Sequence, residues 1–208
     1  MQTDTSTAAL APSLITSRGM TALGEAIVVV LGSFVLVASA KVFVSFFPVP
    51  MTLGTLGVMA IAATFGMRLG VLTVLAYLGE GLAGLPVFTY TPPAVAGPLY
   101  FLGPTGGFLA GYIVLAIIVG LAVDRGWSRS PVRLFAALLV GDAVLFAMGF
   151  SWFAGFAHLS SGATGAGAAV AWAKGVQPFL LGDLLKIVLT AAAVPAAWSL
   201  ADAFKGKR

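Results

Sequence analysis

Lys186 stands three residues after Asp183 in an otherwise apolar stretch, so on a helix the two side chains share a face. Phe179 and Thr190 extend the same stripe. A carboxylate accepts hydrogen bonds and an ammonium donates them. The pair can therefore read a ligand group that carries both N–H and C=O, such as a urea or an amide. The same spacing also fits an intrahelical ion pair that only neutralises itself. Asp142 falls midway along another apolar stretch. There it either answers a cation such as Lys186, touches a ligand, or is a structural acid. Glu80 adjoins a Pro-rich segment, as a solvated rim or as the wall of a site. Lys41 lies near the end of an apolar run, where a lysine snorkels toward water. Glu25 and Asp202 read as solvated residues near helix ends.

Several chemistries are argued against. The sequence has no Cys, which removes thiolate metal sites, disulfides and Cys nucleophiles, and His158 is its one His. A Ser–His arrangement reduces to His158 with Ser160 or Ser161, all in one Gly-rich segment with no Asp nearby. There is no Gly-rich phosphate loop of the Walker type, so this chain does not itself hydrolyse ATP. Channel filter sequences are absent. A proton-coupled carrier using Asp142 and Asp183 stays open. The net charge of +4 follows membrane topology and does not call for nucleic acid.

The elements that must hold these residues are membrane spans. Only 9% of the 208 residues are charged, 60% are apolar and the mean hydropathy is +1.05. Soluble domains carry about 25% charged residues. The composition predicts an all-α membrane protein. Residues 22–47, 104–123, 133–156 and 176–204 are each long enough to cross a hydrocarbon core that needs about 20 apolar residues. Residues 53–85 form one long tilted helix or two short ones turning at Gly66, Met67, Arg68 and Gly70. Six spans with both termini cytoplasmic put eight basic residues inside (Arg18, Arg68, Arg125, Arg129, Arg133, Lys205, Lys207, Arg208) and only Lys174 outside. Five spans at best give six against two and bury Arg68 in lipid. Charge sorting therefore favours six. Residues 1–21 read as a disordered cytoplasmic tail, 22–204 as one transmembrane domain and 205–208 as a short basic tail. The longer loops, 81–103 with Pro86, Pro92, Pro93 and Pro98, and 157–175 with Gly and Ser, both fall outside. Aromatics such as Phe46, Phe47, Tyr77, Phe88, Tyr90, Tyr100, Trp152 and Phe156 gather toward that side, as in interfacial belts.

Four stretches in order carry a family resemblance: Phe47-Pro48-Val49-Pro50-Met51-Thr52-Leu53; Tyr77-Leu78-Gly79-Glu80-Gly81 running into Gly84-Leu85-Pro86-Val87-Phe88; Gly103-Pro104-Thr105-Gly106-Gly107-Phe108; and Pro178-Phe179 followed by Gly182-Asp183-Leu184-Leu185-Lys186. Gly149 with Trp152 adds a weaker fifth. The chain resembles the BioY family, the biotin-binding S components of energy-coupling factor (ECF) transporters. The resemblance implies a six-helix S-component fold in the bacterial cell membrane, in contact with lipid, with a biotin site opening outward. It implies no enzyme activity and no cofactor. Its partners would be a transmembrane coupling protein and two ATPase subunits. On the ligand, Asp183 would take the ureido N–H groups and Lys186 the ureido carbonyl. Phe88, Phe179 and Trp152 would cover the ring and alkyl chain, Glu80 would wall the site, and the Pro48–Thr52 loop would gate it. The 89–102 loop has Tyr90 and Tyr100 but no Arg, Lys or Asn for the carboxylate. Backbone N–H groups near Gly103–Gly107, or Lys41, would supply that donor. Docking to the coupling protein would use small residues of the first span, where Ala22 and Ala26 have the Ala-x-x-x-Ala spacing. An S component for another small vitamin is the nearest alternative.

Overall fold

The structure is a computed structural model that describes residues 21–45, 47–91 and 96–205. Of the tail expected over 1–21, residues 1–20, with Arg18, lie outside the described residues, as do Phe46, Pro92, Pro93, Lys207 and Arg208.

Among the described residues, five helices are long and apolar enough to cross a membrane. They are α1 (Ala22–Lys41), α2 (Gly54–Leu82), α4 (Gly106–Asp124), α5 (Pro131–Gly155) and α7 (Leu180–Lys205). Two short helices, α3 (Pro98–Leu102) and α6 (Ala168–Ala171), lie in the loops. Helix α1 opens on a Thr21 cap whose hydroxyl accepts from the Gly24 N–H at 3.2 Å. Helix α5 opens the same way on Ser130, with Pro131 in its first turn.

The first span is shorter than the apolar run that predicts it. It stops at Lys41 rather than Phe47, because the next residues become extended. Strand β1 (Phe43–Val44) pairs antiparallel with β2 (Met51–Thr52), Phe43 opposite Thr52 and Val44 opposite Met51. The last span starts at Leu180 rather than 176. Trp172–Val176 is a π-helical turn, and Pro178 follows it without an N–H to give. The segment 157–175 is thus partly helical rather than a plain loop.

Helix α2 is not straight. Gly66 has φ 76° and ψ −173°, a conformation that a side chain disfavours, and it separates two helical pieces. Those pieces fold back on each other. A Cβ on Gly70 would lie 3.2 Å from the Ala62 Cα, whereas eight residues of straight helix would separate the two by about 12 Å.

Charge pairs collect where the Gly66 break lies. Arg68 pairs with Glu25 at 2.9 Å, and the Met67 N–H donates to Asp124 at 3.2 Å. Arg129 pairs with Asp202 at 2.7 Å and lies 4.1 Å over the Trp198 ring. The start of α1, the ends of α4 and α7 and the start of α5 therefore share one end of the bundle. Lys41, the β-ribbon and residues 83–91 share the other.

Candidate functional site

The Lys41 end encloses a cavity of about 70 Å³. Its polar wall is built from two elements. Helix α7 presents Asp183 and Lys186 one turn apart, 3% and 8% exposed. The start of α2 presents Thr55, also buried, and the Thr52 carbonyl precedes it. The Lys186 ammonium donates to the Thr52 carbonyl at 2.8 Å, to the Thr55 hydroxyl at 2.7 Å and to the Asp183 carboxylate. Thr55 in turn donates to Asp183 Oδ1 at 3.1 Å. The three N–H groups of the lysine are thus matched by three acceptors. Both bonds to Asp183 fall on Oδ1, and the residue lines the cavity.

The opposite wall is aromatic. Phe88 stacks on Tyr100 with centroids 4.7 Å apart and meets Tyr77 and Phe101 edge-on, each at 5.3 Å. Its ring sits against Gly81, where a Cβ would come within 2.0 Å of it. This is why that position of α2 must lack a side chain. Tyr100 donates to the Thr89 carbonyl at 2.8 Å, and burial pushes its phenol up to about 12, so it acts as a neutral hydroxyl. Phe179 closes the cavity from the start of α7.

Lys41 does not simply snorkel. Its ammonium donates to the Phe88 carbonyl at 2.8 Å and to both oxygens of Thr91, strapping the 88–91 loop to the end of α1. The Thr89 hydroxyl adds a bond to the Ala40 carbonyl at 2.9 Å. The Lys41 ammonium is committed to this strap.

Of the residues singled out in the sequence, Asp183, Lys186, Thr52, Phe88, Tyr100 and Phe179 line the cavity. Three do not. Trp152 donates its indole N–H to the Gly103 carbonyl at 2.9 Å and packs on Phe156. Glu80 turns toward α1 and accepts from the buried Ser33 at 2.8 Å. Tyr90 lies edge-on to Phe43 and lines a neighbouring recess with Pro48 and Leu99. Pro50, Tyr100 and Thr105 border both that recess and the cavity, so the two adjoin. Thr55 and Tyr112 also line the cavity, and the sequence reading passed them over. The available signal was a polar side chain inside an apolar span.

Comparison with known proteins agrees with this architecture. The BioY family model matches residues 9–203. A biotin transporter BioY of Rhodobacter capsulatus is 36% identical over 154 residues, covering 69% of this chain and 76% of that protein. Another from Rhizobium etli is 33% identical over 179 residues, covering 83% and 87%. The crystal structure of an S-component for biotin from an ECF-type ABC transporter has the same fold, with a TM-score of 0.68. It is 22% identical, and the match covers 87% of this chain and 95% of that one. The chain is a member of the BioY family.

Proposed function

We propose that the chain captures biotin on the outer side of a bacterial cell membrane and passes it inward as the substrate-binding subunit of an ECF transporter. The observation that carries this reading is the Asp183–Lys186–Thr55 cluster, a buried polar set facing an aromatic wall in a chain of this family. Ureido N–H groups are donors for Asp183. The ureido carbonyl is an acceptor for Lys186, which would exchange one of its present partners for it. Phe88, Tyr100 and Phe179 would cover the ring system, with Thr52 on the polar wall beside Lys186.

The carboxylate would be held at the start of α4. Thr105 lines the cavity at the cap position and its side chain is hydrogen-bonded with Tyr100, while Gly106 and Leu109 spend their N–H groups on Gly103 and Thr105, so the Gly107 and Phe108 N–H groups would be the donors for an anion. Trp152, Glu80 and Tyr90 would act indirectly, by holding the walls and the entrance. At about 70 Å³ the cavity has room for a few water molecules, at about 10–15 Å³ of such space each, so a bicyclic ligand requires the walls to move apart, and the Pro48–Thr52 loop, whose Val49, Pro50 and Thr52 line the cavity, would be the gate.

Six crossings follow if the fold-back at Gly66 is a turn between two short spans. Residues 22–204 then form one domain with both termini cytoplasmic. The Arg68 end, with Arg125, Arg129, Arg133 and Lys205, would be the inner end, and the Lys41 end would open outward. A transmembrane coupling protein and two ATPase subunits would drive release. On α1, Gly32, Ser33 and Ala40 are buried within the bundle, whereas Ala22 and Ala26 are exposed and free to meet such a partner. Titration of the purified chain with biotin tests the reading. Submicromolar binding is expected, and its absence would overturn it.

A further inference from the structure

A second recess opens on the flank of the bundle between α5 and α7. Its volume is about 620 Å³, within the range of about 300–1,000 Å³ typical of small-molecule sites. Ala143, Phe146 and Ala147 of α5 and Leu184 and Ile187 of α7 line it, with Trp172 toward the Lys41 end. From Leu139 to Phe150 it follows α5 for about 16 Å at 1.5 Å per residue. Phe146 borders both this recess and the Asp183–Lys186 cavity, so the two are neighbours with a shared wall.

The recess is apolar except for Asp142, which is 6% exposed. Its Oδ1 is fully buried and has no hydrogen-bond partner among the described residues. Leaving a buried polar atom unpaired costs about 1–3 kcal/mol, and because Asp142 itself lines the recess, a turn of its carboxylate would let a donor brought by a ligand offset that cost. Hydrocarbon chains of lipid fill an apolar groove but bring no donor. The walls ask for an extended apolar body and Asp142 asks for a donating end.

We propose that this recess is a second ligand site, for an elongated apolar molecule with one hydrogen-bond-donating end, of the class of long-chain primary amines. Such a molecule arrives from the bilayer and aligns along α5. Its amine donates to Asp142, and its chain lies over Ala143 and Ala147, whose small side chains leave the space open.

Trp172 is half-exposed on the recess wall and can report binding. The full-length chain in phosphatidylcholine nanodiscs is titrated with a bromine-tagged long-chain primary amine, and with a bromoalkane of equal length. Trp172→Phe identifies the signal of that residue. Saturable quenching by the amine is expected, at least tenfold weaker in Asp142→Leu. Ala147→Phe, which fills the recess with Asp142 intact, should weaken it to a similar degree and decides the matter if Asp142→Leu does not fold. Quenching that does not saturate, that is equal in both variants and the parent, or that the bromoalkane reproduces would make the recess a plain lipid contact and overturn the proposal.

Discussion

Asp142 and Asp183 each follow a glycine, in Gly141-Asp142-Ala143-Val144 and Gly182-Asp183-Leu184-Leu185, and each is buried inside an apolar helix. Their surroundings differ completely. Asp183 accepts from Thr55 and from Lys186, one turn along its own helix and held in turn by the Thr52 carbonyl. Asp142 faces Phe146, Leu184 and Ile187 across an apolar recess, and its Oδ1 has no partner among the described residues. The two positions separate what burial does from what pairing does. A buried acid inside a satisfied network is oriented and ready to exchange one partner for a ligand. A buried acid without one is a standing cost that something else must relieve.

The largest effect expected from breaking this contrast is at Lys186. Lys186→Ala leaves Asp183 buried with only Thr55, and losing one partner of a buried pair costs about 3–5 kcal/mol. Thermal unfolding should show that loss, and biotin affinity should fall at least a hundredfold by titration. The double variant Asp183→Leu, Lys186→Met replaces both charges with apolar groups. It should recover most of the stability while binding stays lost. If the double variant is as unstable as the single one, the cluster matters for packing rather than for charge. Thr55→Val comes next. It removes a hydroxyl that both accepts from Lys186 and donates to Asp183, so a cost of about 1–3 kcal/mol and a roughly tenfold loss of affinity are expected.

Much of this contrast was written in the sequence. Asp183 and Lys186 are three apart in an apolar run, and their shared face follows from helix geometry alone. The scarcity of charge pointed to spans, and among the described residues Arg68, Arg125, Arg129, Arg133 and Lys205 gather at one end of the bundle. The partners of the pair were not legible, because Thr52 and Thr55 lie some 130 residues away and meet α7 only through tertiary packing. Trp152, Glu80 and Tyr90 missed the cavity for a related reason. A residue type suited to a ligand also suits a backbone carbonyl, a buried serine or a neighbouring ring, and each of the three found one of those. The end of α1 is not legible because Val42, Phe43 and Val44 are as apolar as a span. Their β-branched and aromatic side chains suit the ribbon they form with Met51 and Thr52.

Asp142→Leu reverses the sign of the Lys186 result. Replacing an unpaired buried acid by an apolar side chain should leave stability unchanged or raise it by about 1 kcal/mol, with biotin affinity within threefold of the parent. A large loss of biotin binding would instead mean that Asp142 acts on the cavity across Phe146.

The smallest effect should fall on the exposed pair at the other end. Arg68 is 75% exposed and Glu25 24% exposed, so water and salt screen their attraction. Arg68→Ala should cost no more than about 1 kcal/mol in unfolding experiments, and the difference should shrink as salt is added. Lys186 and Arg68 each pair with one acid at hydrogen-bonding range, and only the first pair is shielded from water. If Arg68→Ala proved as damaging as Lys186→Ala, burial could not be the cause of the larger effect. The fold-back at Gly66 would then depend on the Arg68–Glu25 contact itself.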